Sequence, residues 1–351
     1  MKALIDIGHP AHVHYFKNFY RLLTEQGHEV LVTARKKDIS LTLLERYKIP
    51  YVPRGSGSNA MIGKLLYLPK GNWVLLKAAL KFKPDVFLSF SSPYAAQVSS
   101  LMRKPHIAFD DTEHARLGRI MYRPFTDVVL SPQCYNGEIA ANQRLFNGYM
   151  ELCYLHPNYF TPRPEVKERL GVGPDERYVI LRFVSWAATH DVGHYGVSLE
   201  NKRRAVEAFS KHARVFISSE TELPEDLEQY RFSIEVDWMH DALAYADMFF
   251  GESATMASEA AMLGVPGIYL DNTGRGYTDE LEEQYGMVYN FTESEQDQVR
   301  AIDKGVEVLS KGTTKESYKA SHQAMIADKI DVTAYLIETV KEITGKNIGL
   351  S

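Results

Sequence analysis

Short apolar runs and helix-spaced apolar positions alternate along this chain. Ala3–Ile7 is an apolar run of strand length that stops at Gly8, and His14–Gln26 carries Phe16, Phe19, Leu22 and Leu23 at helical spacing. Gly27 closes that helix and Glu29–Thr33 reads as the next strand. Such a strand–helix–strand opening predicts a parallel, doubly wound sheet. The alternation continues through helices at Leu41–Tyr47, Leu65–Phe82 and Tyr94–Met102, interleaved with strands at Tyr51–Val52, Val86–Phe90, His106–Phe109 and Asp127–Leu130.

The texture changes near residue 150. Tyr154–Pro164 holds three prolines in eleven residues and fits no regular element. After a short helix at Glu165–Leu170, a fresh apolar strand begins at Tyr178–Phe183. Helices at Leu199–Lys211, His240–Ala246 and Ala254–Leu263 then alternate with strands at Ala213–Ser218, Met248–Gly251 and Gly267–Leu270. The final helices are expected at Glu295–Ser310 and Lys315–Ile343. The pattern predicts an α/β protein of two domains, 1–155 and 156–330, with 331–351 a terminal helix returning to the first domain.

Composition narrows the partners. Lys and Arg number 40 against 45 Asp and Glu, a net charge of -5, and no basic block marks a nucleic-acid tail. Two cysteines, Cys134 and Cys153, cannot build a disulfide scaffold and suggest a reducing compartment. The opening Met1–Ile7 turns acidic too soon for a signal peptide, and the apolar runs fall short of the roughly 20 residues of a membrane span. A cytoplasmic protein is the expected reading, with contact at the inner face of the cell membrane as an extension. That extension rests on Asn59–Phe82, where leucines alternate with Lys64, Lys70, Lys77 and Lys81 around Trp73. A crossover helix with solvated lysines explains the same pattern.

In open parallel sheets, ligands bind beyond the carboxyl ends of the strands, so the residues after each strand matter most. The segment Gly251–Pro266 places Ser253 and Thr255 at a helix start, where backbone N–H groups and the helix dipole can hold phosphate. Glu259 lies one turn in, within reach of a ribose. Plain helix capping by Ser253 and Thr255 is the competing reading. Arg182, Ser185 and Trp186 follow the first strand of the second half, with Gly193 and Gly196 leaving room for close backbone approach. Arg275 stands between two glycines as another phosphate candidate. Histidines and acids form tight groups: His9, His12 and His14; Asp110, Asp111, Glu113 and His114; His190, Asp191 and His194. Their types suit metal ligands, but the groups come from both halves of the chain.

The run Gly-Glu-Ser-Ala-Thr-Met-Ala-Ser-Glu-Ala-Ala-Met-Leu-Gly-Val-Pro at 251–266 resembles the donor-site signature of GT-B glycosyltransferases and of non-hydrolysing UDP-GlcNAc 2-epimerases. The loop Gly8–His14 resembles the first loop of MurG-type transferases, although Pro10 and Ala11 replace paired glycines. With Asp110–His114, Arg182–Trp186 and Gly251–Met256, the chain is most similar to the DUF354 family over nearly its full length. The resemblance implies a GT-B fold, two Rossmann-like parallel-sheet domains facing a central cleft. It implies a nucleotide sugar as substrate, UDP-linked first, with no tightly bound cofactor or metal, and a glycan or lipid-linked acceptor.

In that frame the acceptor base is sought among His12, Asp110, Asp111, Glu113 and His114. The nucleotide and its phosphates fall to Arg182, Ser185, Gly251, Glu252, Ser253, Thr255, Met256 and Glu259. His9, His14, Trp186, His190, Asp191, His194 and Arg275 are placed at the cleft without a role. The expected activity is glycosyl transfer in cell-surface polysaccharide or glycolipid synthesis. A nucleotide-sugar 2-epimerase, a metal-dependent hydrolase and a non-catalytic GT-B scaffold are the alternatives.

Overall fold

The structure, a computed structural model, describes residues 1–37, 39–56, 61–113, 116–184, 195–219, 222–311 and 314–348. The chain divides into two compact units, Met1–Tyr159 with Lys329–Ser351, and Phe160–Asp328.

The first unit opens with β1 (Lys2–Ile7), α1 (Pro10–Glu25), β2 (Glu29–Ala34), α2 (Ser40–Arg46), β3 (Tyr51–Pro53) and α3 (Met61–Phe82). It continues with β4 (Val86–Phe90), α4 (Pro93–Leu101), β5 (His106–Phe109), α5 (Arg116–Tyr122), β6 (Val128–Pro132), β7 (Gln143–Phe146) and α6 (Leu152–Leu155). All seven strands are parallel, in the order β3-β2-β1-β4-β5-β6-β7. Strands β1, β4, β5 and β6 are buried on both faces, which is why they read as continuous apolar runs. β7 escapes a pattern search because only Phe146 of its four residues is buried. α1 starts four residues before its apolar periodicity does: Pro10 suits the first helical position, and the His9 side chain accepts the Ala11 N–H as cap.

The second unit holds α7 (Val166–Arg169), β8 (Tyr178–Phe183), α8 (Leu199–Ser210), β9 (Arg214–Ser219), α9 (Glu225–Glu228) and α10 (Met239–Tyr245). Then come β10 (Met248–Gly251), α11 (Ala254–Met262), β11 (Gly267–Leu270), α12 (Gly276–Glu283), β12 (Val288–Phe291), α13 (Glu295–Ser310) and α14 (Thr314–Asp328). Its five strands are parallel in the order β12-β11-β10-β8-β9.

The single helix expected over Lys315–Ile343 is two. α14 ends at Asp328, and α15 (Val332–Thr344) restarts behind Asp331, whose carboxylate accepts the Ala334 N–H at 2.9 Å. The Ile330 N–H between them donates to the Asn147 carbonyl, so this joint belongs to the first unit. There α15 packs on α1 and α6.

Both strand orders contain a switch point, where successive crossovers leave in opposite directions. It lies between β1 and β4 in the first sheet and between β8 and β10 in the second. At such a point the helices diverge and leave a crevice beyond the strand ends.

Candidate functional site

In the second unit the switch point joins Arg182 to the turn that opens α11. Gly251, the last residue of β10, pairs in register with Arg182, and the Glu252 N–H donates to the Arg182 carbonyl at 3.0 Å. A Cβ on Gly251 would stand 2.1 Å from that carbonyl oxygen, so only glycine lets the strands close here. Ser253 caps α11 by accepting the Met256 N–H at 3.3 Å. Thr255 lies half-buried in the first turn, and the Met256 side chain is buried.

Glu259 is no solvated side chain. It is buried on α11, and one carboxylate oxygen lies 2.9 Å from Nε2 of the equally buried His240 on α10. Sequence reasoning missed His240; its signal is a histidine at the start of a short helix whose buried residues include Ala242, Leu243 and Ala244. Arg182, half-buried, donates from Nη1 to Ser218 Oγ at 2.7 Å, which aligns the guanidinium along the strand ends of β8 and β9.

Glu252, expected at the nucleotide, anchors backbone. It is buried, and its two oxygens accept the N–H groups of Val184 at 2.7 Å and Val197 at 2.6 Å. It therefore ties the two flanks of segment 185–194 to β10. Burial pushes its pKa up, with Lys202 and the two N–H donors pulling the other way. Glu293 accepts the N–H groups of Tyr195 and Gly196, and Gln298 accepts that of Ser198. The Gly196 amide is thus taken and does not line a phosphate cradle. Ser185, Trp186, His190, Asp191, Gly193 and His194 lie outside the described residues. Arg275 caps the start of α12 and donates to Thr273 Oγ1 and the Gly274 carbonyl.

In the first unit, His12 sits at the β1/β4 switch, its ring stacked on Phe90 at 4.7 Å. Nδ1 accepts the Gly8 N–H at 3.2 Å. Loss of hydration and the nearby His9, Lys37 and Arg54 push its pKa well down, so the ring is neutral with its proton on Nε2. With Nδ1 taken by the Gly8 N–H, Nε2 presents a donor and not a lone pair, which argues against His12 as the base.

Asp110 is buried; Oδ1 accepts the Thr112 N–H, Oδ2 accepts the Tyr122 hydroxyl, and Arg123 stands 3.5 Å away, contacts that hold the loop. Asp111, after the same strand, is half-buried with its carboxylate 3.4 Å from the Thr112 hydroxyl. Glu113 is half-buried, and its carbonyl accepts from Arg119. His114 lies outside the described residues. His14 is buried against the Tyr154 and Tyr47 rings, its Nδ1 3.3 Å from the Tyr47 hydroxyl, a packing role. Among the described residues no three His, Cys, Asp or Glu side chains converge on a metal position.

The same switch carries a buried network that the sequence did not announce. Asp6 binds Arg54 through both oxygens, at 2.9 and 3.1 Å, and accepts the hydroxyls of Thr33 and Ser92 at 2.7 and 2.5 Å. Arg54 also lies 4.0 Å from the Tyr94 ring centroid. The only sequence signal was an aspartate inside the apolar run of β1.

Solved structures share this architecture across the whole chain. A UDP-GlcNAc 2-epimerase from Neisseria meningitidis bound to UDP-GlcNAc superposes with a TM-score of 0.68 at 13% identity, covering 97% of this chain and 100% of that one. The spinosyn rhamnosyltransferase SpnG, complexed with thymidine diphosphate, gives 0.63 at 15% identity, covering 97% and 100%. The glycosyltransferase VinC in complex with dTDP gives 0.65 at 12%, covering 99% and 100%. The chain therefore has the GT-B fold. An uncharacterised protein of Methanocaldococcus jannaschii is 23% identical over 278 residues, covering 75% of this chain and 79% of the relative. The model of DUF354, described as a protein of unknown function, matches residues 1–280, and the chain belongs to that family.

Proposed function

We propose that this protein is a nucleotide-sugar-dependent glycosyltransferase. The observation that carries the reading is the β10–α11 turn: a strand end only glycine fits, a capped helix start beside Arg182, and the buried Glu259 held by His240. The α11 N-terminus and Arg182 balance the charge that develops on a departing nucleotide diphosphate. Glu259 receives the ribose hydroxyls, its carboxylate oriented by His240 as hydrogen-bond donor. Nucleotide-bearing neighbours of the same fold support a ligand of this class.

Acceptor activation falls to the first unit. Asp111 or Glu113, both half-buried after β5, is assigned to accept the proton of the acceptor hydroxyl, and His12 Nε2–H orients that acceptor. Thermal shift against UDP-, GDP-, CMP- and TDP-linked sugars tests the core of this. A true donor at a hundredfold excess over Kd stabilises by about 2.7 kcal/mol. No stabilisation by any of them refutes the reading.

A second reading, a nucleotide-sugar 2-epimerase, is favoured by the epimerases among the structural neighbours. It predicts turnover of UDP-GlcNAc without an acceptor, where the transferase predicts none.

A further inference from the structure

Residues 61–109 carry seven basic side chains and a single acid, Asp85, in a chain whose net charge is -5. Asp85 is already engaged by the Lys2 N–H and by Lys346. Two helices of the first unit, α3 and α4, fall in this stretch, and α5 follows after the acidic segment Asp110–Glu113. α3 packs on α4 and α4 on α5, so the three helices lie side by side.

The orientation of α3 is fixed. Gly71, Leu75 and Ala79 are buried, and a Cβ on Gly71 would stand 2.5 Å from the Tyr94 ring of α4. The opposite stripe, at helical spacing, is Lys70, Trp73, Lys77, Leu80 and Lys81, all exposed. Trp73 is 67% and Leu80 56% exposed. The next helices add Leu101 at 68% and Ile120 at 69%, and Lys83, Arg103 and Lys104 are exposed around them. A scattered exposed leucine needs no explanation, but aromatic and aliphatic side chains repeated between lysines do.

We propose that the α3–α4–α5 face docks the first unit onto an anionic lipid surface. Trp73 and Leu80 enter the headgroup boundary, and Lys70, Lys77 and Lys81, each within a turn of one of them, extend to lipid phosphates. Charge decides the partner, since the face is cationic while the chain as a whole is anionic. No helix among the described residues is long and apolar enough to cross a membrane, so α3 lies on the surface. This docking does not depend on the transferase reading.

The test is co-sedimentation of the full chain with phosphatidylcholine vesicles, with and without phosphatidylglycerol. Binding is expected only with phosphatidylglycerol, and falls as salt rises. Trp73 is one of three tryptophans, so emission should shift to the blue on binding, and Trp73→Phe should abolish that shift. Each lysine contributes about fivefold to partition, so Lys77→Gln with Lys81→Gln should weaken it roughly 25-fold. Trp73→Ser with Leu80→Ser should weaken it further, and unchanged melting of these surface variants excludes misfolding. Absence of binding to phosphatidylglycerol vesicles, equal binding to both compositions, or full binding by the lysine variant overturns the proposal. Capture of an acidic protein by this face with no vesicle binding overturns it as well.

Discussion

His106 tests whether a hydrogen-bonded histidine in this chain is chemistry or scaffold. Its ring lies between Ser89 and Thr126, with Nε2 2.9 Å from the Ser89 hydroxyl and Nδ1 2.9 Å from Thr126 Oγ1. The order resembles a hydrolase relay, yet all three residues are buried. Thr126 spends its own proton on the Tyr122 carbonyl, so Nδ1–H donates to Thr126, and the Nε2 lone pair accepts from Ser89. Among the described residues no carboxylate faces the ring to balance a second proton's charge, and burial pushes the pKa from 6.5 to about 3.

The sign follows from linkage. The unfolded chain protonates this histidine below 6.5 while the folded one does not. Stability from this site is complete above that pH and is lost as pH falls from 6.5 toward 3. At 1.36 kcal/mol per unit, the whole window is worth about 5 kcal/mol, and the step from pH 7 to pH 5 about 2 kcal/mol. His106→Gln removes the titration at a fixed, pH-independent cost. Urea unfolding, followed by exchange protection of the β4 and β5 amides, should therefore show the gap between the two proteins narrowing by about 2 kcal/mol from pH 7 to pH 5. A gap that stays constant, or an imidazole that titrates near 6.5 in the folded protein, would refute the assignment.

Two further outcomes follow from the second unit. Gly251→Ala places a Cβ 2.1 Å from the Arg182 carbonyl, so it should destabilise by about 3 kcal/mol and abolish nucleotide-dependent thermal stabilisation. Wild-type behaviour in both measurements would show that the turn relaxes freely. Glu252→Gln leaves one of the Val184 and Val197 amides facing an NH2 group instead of an acceptor, at about 1–3 kcal/mol, read as faster hydrogen exchange at those two positions.

The strands were legible where burial on both faces forces an unbroken apolar run, as in Val86–Phe90 and Tyr178–Phe183. They were not where a four-residue strand buries a single side chain: Gln143–Phe146 and Val288–Phe291 carry no predicted element. The joint at Asp331 was hidden because a capping aspartate inside a helix-spaced pattern looks like one more surface charge. The candidate site was legible by residue type and position after each strand. What a sequence does not carry is which lone pairs and protons are already committed. Glu252, Asp110 and His12 all stand where a ligand-binding or catalytic group belongs, and each already makes hydrogen bonds to a backbone amide or a neighbour.

That accounting also limits how an anion can be held in the second unit. Glu252 and Glu293 together occupy the amides of Val184, Tyr195, Gly196 and Val197. The flanks of segment 185–194 are therefore closed to phosphate by backbone, and two buried carboxylates set a negative potential beside them. The α11 N-terminus has the opposite character, a partial positive charge reinforced by the half-buried Arg182 on the adjoining strand. Under the transferase proposal, the diphosphate is therefore assigned to Arg182 and the α11 amides, not to the loop flanks. Under the same proposal, Glu259, further along the same helix, is the group that meets the ribose.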